Sequence, residues 1–146
     1  MKQRISLRQY KSSDLDRHAE LLAQNKVYRS KSAAKKKESP WLSKAILNYK
    51  SSNPKFYVLA ILLDKKVIGN IIAEKIDFKG KKAELGFWIG RYYWGKGYAT
   101  NALNLFITFL RKKFGIKTFK AEYKSNNPAS GRVLEKAGFK KIKPIK

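Results

Sequence analysis

The chain has no cysteine and a single histidine, His18, among its 146 residues. The lack of cysteine excludes disulfides, thiolate metal sites and a cysteine nucleophile. One histidine supplies too few soft ligands for a zinc centre and argues against a serine–histidine–aspartate relay. We therefore expect no metal site. We expect His18 to be a surface or half-buried residue without a chemical role.

Long apolar runs are missing as well. No stretch approaches the ~20 residues that a membrane-spanning helix needs. The N-terminal residues enter an alternating pattern without the apolar segment of a signal peptide. Hydrophobic residues nevertheless make up 43% of the chain, which is enough for a real core. These features favour a soluble, cytoplasmic protein with no membrane contact, folded as a single domain over residues 1–146.

Acidic residues are scarce: 10 stand against 34 basic residues, for a net charge of +24. Such a charge attracts polyanions, so a ribosome or RNA surface is one candidate partner. Most of the basic residues are lysines, which an AT-rich genome would produce unaided, and they are scattered along the chain. Two explanations of the positive charge remain open. One is coding bias together with solubility, and the other is a functional anionic partner.

Hydrophobic periodicity predicts the element order β-α-α-β-β-β-α-β-α-β, an α/β fold with a mixed, mostly antiparallel central sheet flanked by helices. The three strands in the middle follow one another closely and predict an antiparallel meander. Glycine and proline signals set the helix ends. The predicted strands cover residues 4–10, 56–63, 67–76, 83–89, 116–123 and 139–145, and the predicted helices cover about 13–24, 40–49, 100–114 and 128–136.

The segment before the second helix is rich in lysine and serine. We interpret residues 26–39 as a loop or a mobile helix. Serine caps helices and proline suits the first helical position, so Ser39 and Pro40 predict that the second helix begins there.

A glycine-containing loop, Trp94-Gly95-Lys96-Gly97-Tyr98-Ala99, lies between the third meander strand and a long helix. Glycines let the backbone turn tightly, and the free N–H groups at a helix start favour an anion. Lys96 would add a full positive charge. The pattern fits neither a P-loop nor a dinucleotide-binding fingerprint, and alone it is equally typical of a plain turn.

Three segments read in order make the pattern specific: AELGFWI at 83–89, YYWGKGYAT at 92–100, and NPASGRVLEKAGF at 127–139. Together they resemble the GNAT superfamily of N-acetyltransferases, closest to the Rim-type branch that acetylates ribosomal-protein N-termini. The similarity covers nearly the whole chain. It implies the acyl-CoA N-acyltransferase fold and acetyl-CoA as cosubstrate.

The resemblance also implies which residues bind acetyl-CoA. The fourth strand would splay from its neighbour and offer backbone groups to the pantetheine arm, the loop would hold the pyrophosphate through main-chain N–H groups, and Asn127 would contact the pantetheine arm. The implied cofactor-binding residues are Phe87, Trp88, Ile89, Trp94, Gly95, Lys96, Gly97, Tyr98, Ala99, Thr100 and Asn127.

Two residues are candidates for catalysis. Glu84 stands where some GNAT enzymes carry a general base that acts through water, although a strand glutamate can equally pair with a lysine. The tyrosine that many members use to protonate the thiolate is replaced by Leu134. In the Rim-type branch the position of Ser130 has been considered for this role, and helix capping is the alternative.

The acceptor half of the site departs further from the family. Members continue past Gly138 and Phe139 with a hairpin whose last strand walls the acceptor site, whereas this sequence stops at Lys146. A shortened chain, a strand supplied by a partner and an unusually open acceptor site are the three explanations that stay open. An exposed sheet edge would favour a homodimer or strand exchange. The acceptor would be a primary amine, such as a ribosomal protein N-terminus. The alternatives are a small-molecule amine acceptor, or a non-catalytic module that binds CoA or RNA.

The tryptophans and the Tyr92–Trp94 cluster have two readings. Aromatic side chains among lysines could be platforms on which bases stack. We favour packing in the core and against the cofactor for Trp41, Trp88 and this cluster.

Overall fold

In the computed structural model, which describes residues 4–121, a five-stranded sheet carries helices on both faces. The strands lie in the order β1-β2-β3-β4-β5, as they follow in the chain. The strands are β1 (Ile5–Arg8), β2 (Tyr57–Leu63), β3 (Lys66–Asp77), β4 (Lys82–Ile89) and β5 (Thr118–Ala121), and the helices are α1 (Leu15–Gln24), α2 (Lys31–Asn48) and α3 (Tyr98–Phe114).

The sheet is mixed and mostly antiparallel, as the sequence predicts. Strands β1 to β4 pair antiparallel, whereas β4 and β5 pair in parallel. A parallel pair needs a crossover, and α3 supplies it. The predicted meander is confirmed by the pairing of β2 with β3 and of β3 with β4. The last predicted helix and strand lie outside the described residues.

Strand β2 is buried on both faces and so separates two cores. Its residues Tyr57, Leu59 and Ile61 point to the face covered by α3. Val58, Ala60 and Leu62 point to the face covered by α1 and α2. This explains why β2 is a continuous apolar run and not an alternating one. Helix α3 packs on its face through residues at helical spacing: Ala102, Leu103, Phe106 and Leu110.

Helix α1 begins close to its predicted start, and Asp14 stands at its N-cap position. Its side chain makes no cap bond to α1. Both of its oxygens instead accept from the Arg8 guanidinium, at 2.8 and 2.9 Å, and it also accepts from the Lys11 N–H at 2.8 Å. Burial alone would raise the pKa of Asp14, but these donors outweigh it and lower the pKa. The carboxylate thus ties β1 to the start of α1.

The predicted start of the second helix is wrong. Helix α2 begins at Lys31, and Ser30 caps it by accepting from the Ala33 N–H at 3.1 Å. Pro40 lies inside the helix and is exposed. The proline removes the bond to the carbonyl of Lys36, which is also exposed, so water can satisfy that carbonyl. The loss of this hydrogen bond is offset by packing in the later part of α2, where Leu42 and Ala45 are buried.

Candidate active site

The end of β4 presents backbone groups to the β5 side of the sheet. The Gly90 N–H donates to the Ile68 carbonyl at 2.7 Å. In an antiparallel pair the hydrogen-bonded positions alternate, so the register Gly69↔Ile89 is a non-hydrogen-bonded pair. The N–H and C=O groups of Phe87 and Ile89 therefore point away from β3. The sequence resemblance assigns the backbone groups of this segment to a pantetheine arm, but the Ile89 carbonyl already accepts from two side chains.

The pairing of β4 with β5 is described from Lys82↔Thr118 to Leu85↔Ala121. Any residues that would face Phe87–Ile89 beyond Ala121, the last residue of β5, lie outside the described residues. The splay between the two strands therefore stays a prediction.

The glycine loop has the backbone conformation that an anion cradle requires. Gly95 and Gly97 have φ angles of +75° and +81°, in the left-handed region. Helix α3 begins directly after Gly97, whose carbonyl accepts from the Asn101 N–H at 3.2 Å. The first N–H groups of a helix have no acceptor inside it, and the first turn of α3 contains no acidic residue. The loop and the helix start together therefore favour a bound anion.

The helix takes up more of the predicted loop than expected. Tyr98, Ala99 and Thr100 form the first turn of α3 and are half-buried, whereas the sequence predicts a helix start at Thr100. Lys96 is exposed at the top of the loop. Its ammonium group is thus available to a phosphate beside the helix N-terminus.

Two residues of the aromatic cluster are not packed in the core, contrary to that part of the prediction, whereas Tyr93 is half-buried and packs against it. Tyr92 and Trp94 are 67% and 61% exposed. The Trp94 indole N–H donates to the Ile89 carbonyl at 2.7 Å, so the ring folds back over the end of β4. Both rings are open to solvent beside the loop and can contact a bound ligand.

Asn25, at the end of α1, fixes the chain between β4 and the loop. Its side-chain N–H donates to the Ile89 carbonyl at 3.0 Å, and its side-chain oxygen accepts from the Arg91 N–H at 2.6 Å. The Ile89 carbonyl therefore accepts hydrogen bonds from two side chains, those of Asn25 and Trp94. Asn25 has no sequence signal for this role, because an asparagine after a helix is ordinarily a cap.

Arg17 supports the same segment from the middle of α1. Its guanidinium donates to the Val67 carbonyl at 2.9 Å and to the Tyr93 hydroxyl at 3.0 Å. Arg17 also pairs with Glu20 on the same helix. Helix α1 thereby joins β3 to the turn that precedes the glycine loop. This residue too has no sequence signal for its role, since only the tertiary structure brings it near Tyr93.

Glu84 lies in the middle of β4, on the face of α1 and α2. It is half-buried, and the Lys75 ammonium lies 3.3 Å from its carboxylate. Its neighbours across the sheet are Glu74 and Lys120. Phe87 follows three residues later, about 10 Å along the strand. A base at Glu84 would have to act on an amine near Phe87 through water.

His18 is buried, which overturns the expectation of a surface or half-buried position. Its side chain is 1% exposed, stacks on Trp41 at 5.3 Å and contacts Trp88 at 5.5 Å. Burial lowers its pKa, although a hydrogen bond to Glu38 opposes that shift. Trp41 and Trp88 are therefore packing residues around a buried imidazole, in agreement with the favoured interpretation.

The other predicted site residues, Ser130 and Asn127, lie outside the described residues, and their roles stay predictions. Within residues 4–121 no cluster of three histidine or carboxylate residues could hold a metal ion. In the same range, none of the helices has both the length and the apolar character needed to cross a bilayer.

A meander, a glycine loop at a helix N-terminus and a parallel fifth strand are together the architecture of acyl-CoA-dependent N-acyltransferases. The model of the acetyltransferase (GNAT) domain family matches residues 4–140. The chain therefore belongs to the GNAT acetyltransferase family.

Two curated relatives match about half of the chain. The uncharacterized N-acetyltransferase p20 of Bacillus licheniformis is 30% identical over 76 residues, which are 52% of this chain and 43% of that protein. The ribosomal-protein-serine acetyltransferase of Escherichia coli is 28% identical over 79 residues, which are 54% and 44% of the two chains. The matched segment thus spans less than half the length of each relative.

A solved structure agrees with the fold. The microcin C7 self-immunity acetyltransferase MccE, in complex with acetyl-CoA and AMP, superposes with a TM-score of 0.79 at 23% identity. The match covers 92% of this chain and 77% of that one. At this identity the similarity shows the fold alone.

Proposed function

We propose that this protein transfers the acetyl group of acetyl-CoA to a primary amine, the N-terminus of a protein held on an anionic body such as the ribosome. The observation that carries the proposal is the pair of left-handed glycines, Gly95 and Gly97, directly before α3. This is a site for a pyrophosphate. Membership of the GNAT family, and the acetyl-CoA in the MccE complex, support the choice of ligand.

The reaction is a direct attack in a ternary complex. A neutral amine attacks the thioester carbonyl, the carbon–sulfur bond breaks, and coenzyme A leaves as a thiolate that takes up a proton. The Ile89 N–H, which faces away from β3, is the proposed donor to the oxyanion. Glu84 would remove the amine proton through water, and Ser130 would protonate the thiolate.

The charge of the chain favours this acceptor class. A net charge of +24 repels small polyamines, unless a locally acidic site opposes it, and attracts an amine presented on an RNA-rich surface. The E. coli relative, a ribosomal-protein-serine acetyltransferase, supports the same class. The resemblance to the Rim-type branch points to the protein N-terminus.

Release of free coenzyme A, followed with a thiol reagent, tests the activity. Candidate acceptors are N-terminal peptides, with polyamines and aminoglycosides as the competing class. We expect turnover with peptides. Tight acetyl-CoA binding without turnover of any amine would contradict the enzymatic function and favour a non-catalytic module. A thermal-shift experiment in which RNA alone, and not acetyl-CoA, raises the melting temperature of the protein would also favour the module.

The anionic body is tested separately, by sedimentation with ribosomes across a salt series. Electrostatic binding should weaken steeply as salt rises, because counterions compete for the phosphate contacts. Ribosome binding that does not change with salt concentration would contradict this part of the proposal.

A further inference from the structure

A groove runs along the outer edge of β1, between that strand and α3. Strand β1 is the first in the strand order of the sheet, so within residues 4–121 it pairs with β2 alone. The groove has a volume of about 850 Å³, and all of residues 4–9 line it. Side chains of successive strand residues alternate between the two faces, so a lining of consecutive residues places the groove along the strand edge. The facing wall is one side of α3, with residues four positions apart: Leu105, Phe109 and Lys113.

The backbone of β1 directs donors and acceptors toward this groove. The Asp64 N–H donates to the Arg4 carbonyl at 2.7 Å, so position 4 is a hydrogen-bonded position of the pair with β2. These positions alternate along an antiparallel pair, so the N–H and C=O groups of Ile5 and Leu7 point away from β2. Such an edge is a template for one more strand.

The groove is apolar on the α3 face of the sheet. Ile5 and Leu7 place their side chains on that face, with Ile5 in the core and Leu7 packed against it. On the helix, Leu105 is 40% exposed and Phe109 is half-buried. A strand that paired with β1 would place every second side chain on this apolar surface.

The other lining residues of the groove are mostly basic. Its one carboxylate, that of Asp64, accepts from the Arg4 N–H at 3.0 Å. Arg4 lies on the sheet face opposite Ile5, beside the edge. Four basic residues line the groove: Arg4, Arg8, Lys65 and Lys113. Of these four, Arg8 alone forms an ion pair within residues 4–121, with Asp14. The groove therefore has positive charge that no described carboxylate neutralises.

We infer that this groove binds an extended segment of an acidic partner protein, which adds to the sheet as a strand beside β1. Main-chain hydrogen bonds to Ile5 and Leu7 would hold the segment. Its apolar side chains would pack against Leu105, and the acidic side chains between them would lie on the face of Arg4. The inference does not depend on the proposed function, because β1 lies three strands away from β4 in the sheet.

The charge distinguishes an acidic partner from a second copy of this chain. Two β1 strands paired antiparallel about Ser6 would place Arg4 of one copy opposite Arg8 of the other copy. Like charges in such positions are destabilising, and each copy carries a net charge of +24. A partner with acidic residues at alternate positions has the opposite effect.

Two blocked peptides of equal composition test the inference. Glutamate and valine alternate over six residues in the first peptide, which matches the length of the wall at residues 4–9. In the second peptide three glutamates precede three valines. Both have the same charge, so general attraction to a basic protein is the same for both. Calorimetric titration without acetyl-CoA should show about tenfold tighter binding of the alternating peptide. Equal affinities would overturn the inference.

A glutamate at Leu105 tests whether the peptide lies in the groove. Leu105→Glu adds a negative charge to the groove and removes apolar surface, so the Kd of the alternating peptide should rise about tenfold. Leu47→Glu is the matched control, because Leu47 is 67% exposed on α2 and the change in net charge is the same. Its Kd should stay within about twofold of wild type. An equal loss of affinity in both variants would contradict binding in the groove.

A proline at Leu7 tests the backbone pairing. Leu7→Pro removes an N–H that points away from β2, and proline is tolerated at such positions of edge strands. Leu7→Ala shortens the side chain but keeps the N–H. The proline variant should bind the alternating peptide about fivefold more weakly than the alanine variant. Equal binding by the two variants would exclude strand addition. If Leu7→Pro does not fold, as urea unfolding would show, the comparison of Leu105→Glu with Leu47→Glu decides.

Sedimentation velocity tests the alternative occupant. The wild-type protein should sediment as a monomer. A dimer that Leu7→Pro converts to a monomer would assign the edge of β1 to a second copy and overturn the inference.

Discussion

The Asn25 side-chain oxygen accepts a hydrogen bond from the Arg91 N–H at 2.6 Å, which joins the end of α1 to the chain directly after β4. The same side chain donates to the Ile89 carbonyl. One amide thus satisfies a donor and an acceptor on either side of Gly90. The orientation of the turn, and with it the position of the glycine loop, depends on this amide.

Replacing Asn25 with alanine should therefore weaken both the fold and the cofactor site. Loss of the two bonds should lower the free energy of unfolding by about 1–2 kcal/mol. The acetyl-CoA Kd should rise as well, because the loop loses its support. Urea unfolding and calorimetric titration measure the two effects. Asn48→Ala is the matched control, since Asn48 also bonds a carbonyl, that of Phe56, but far from the loop. An equal rise in Kd in both variants would contradict a local role.

Alanine at Gly97 should impair acetyl-CoA binding through the backbone alone. A Cβ there would meet no atom within 4 Å, so the cost comes from the φ angle of +81°. Holding a residue other than glycine in this region costs about 1 kcal/mol. We expect the exposed loop of the variant to relax away from this angle when no ligand is bound, so acetyl-CoA binding must restore it and the Kd should rise about fivefold. Gly115, with φ +68° and equally open space, ends the same helix. Gly115→Ala should lower the free energy of unfolding by a similar amount and leave the acetyl-CoA affinity unchanged. If Gly115→Ala weakened acetyl-CoA binding and Gly97→Ala did not, the loop would not be the pyrophosphate site.

Glu84→Gln tests the proposed base. General-base catalysis contributes about a hundredfold or more, so kcat/KM for the amine should fall by about that factor, with little change in acetyl-CoA affinity. Lys75→Ala removes the ion-pair partner only. This pair is largely exposed on the lysine side and should change stability by less than about 0.5 kcal/mol. A full rate in Glu84→Gln would leave Glu84 as a surface ion-pair residue.

Stability should decrease on mild acidification because of His18. Burial lowers the pKa of His18 in the folded state below its ordinary value of 6.5, so the unfolded chain binds more protons in that range. The stability that the neutral, buried His18 contributes is fully present above about pH 6.5. It is lost as the pH falls toward the pKa of His18 in the folded state. Glu38, Tyr10 and Asp14 are the groups that face the imidazole. Urea unfolding from about pH 7.5 to about pH 5 should show the loss in wild type, and His18→Gln should flatten the slope.

The sequence predicted most elements of the fold, because their signals are local. The strand run at residues 56–63 and the tight turns after it set the meander, and Gly115 ended α3 as predicted. Helix α2 was mispredicted because Pro40 is a strong local signal, which packing at Leu42 and Ala45 overrides. The exposure of Trp94 was mispredicted for a similar reason: aromatic character suggests burial, but one hydrogen bond to Ile89 holds the ring at the surface.

The sequence by itself determined the family, the order of elements and the glycine loop, because spacing and residue type carry that information along the chain. Only the tertiary structure decided which side chains support and flank the site. Asn25 lies 66 residues from Arg91, and His18 lies 20 residues from Glu38. Neither pair has a local pattern, because each contact exists only once α1 has packed, on the sheet for Asn25 and against α2 for His18. The burial of the one histidine beside Glu38 follows from that packing.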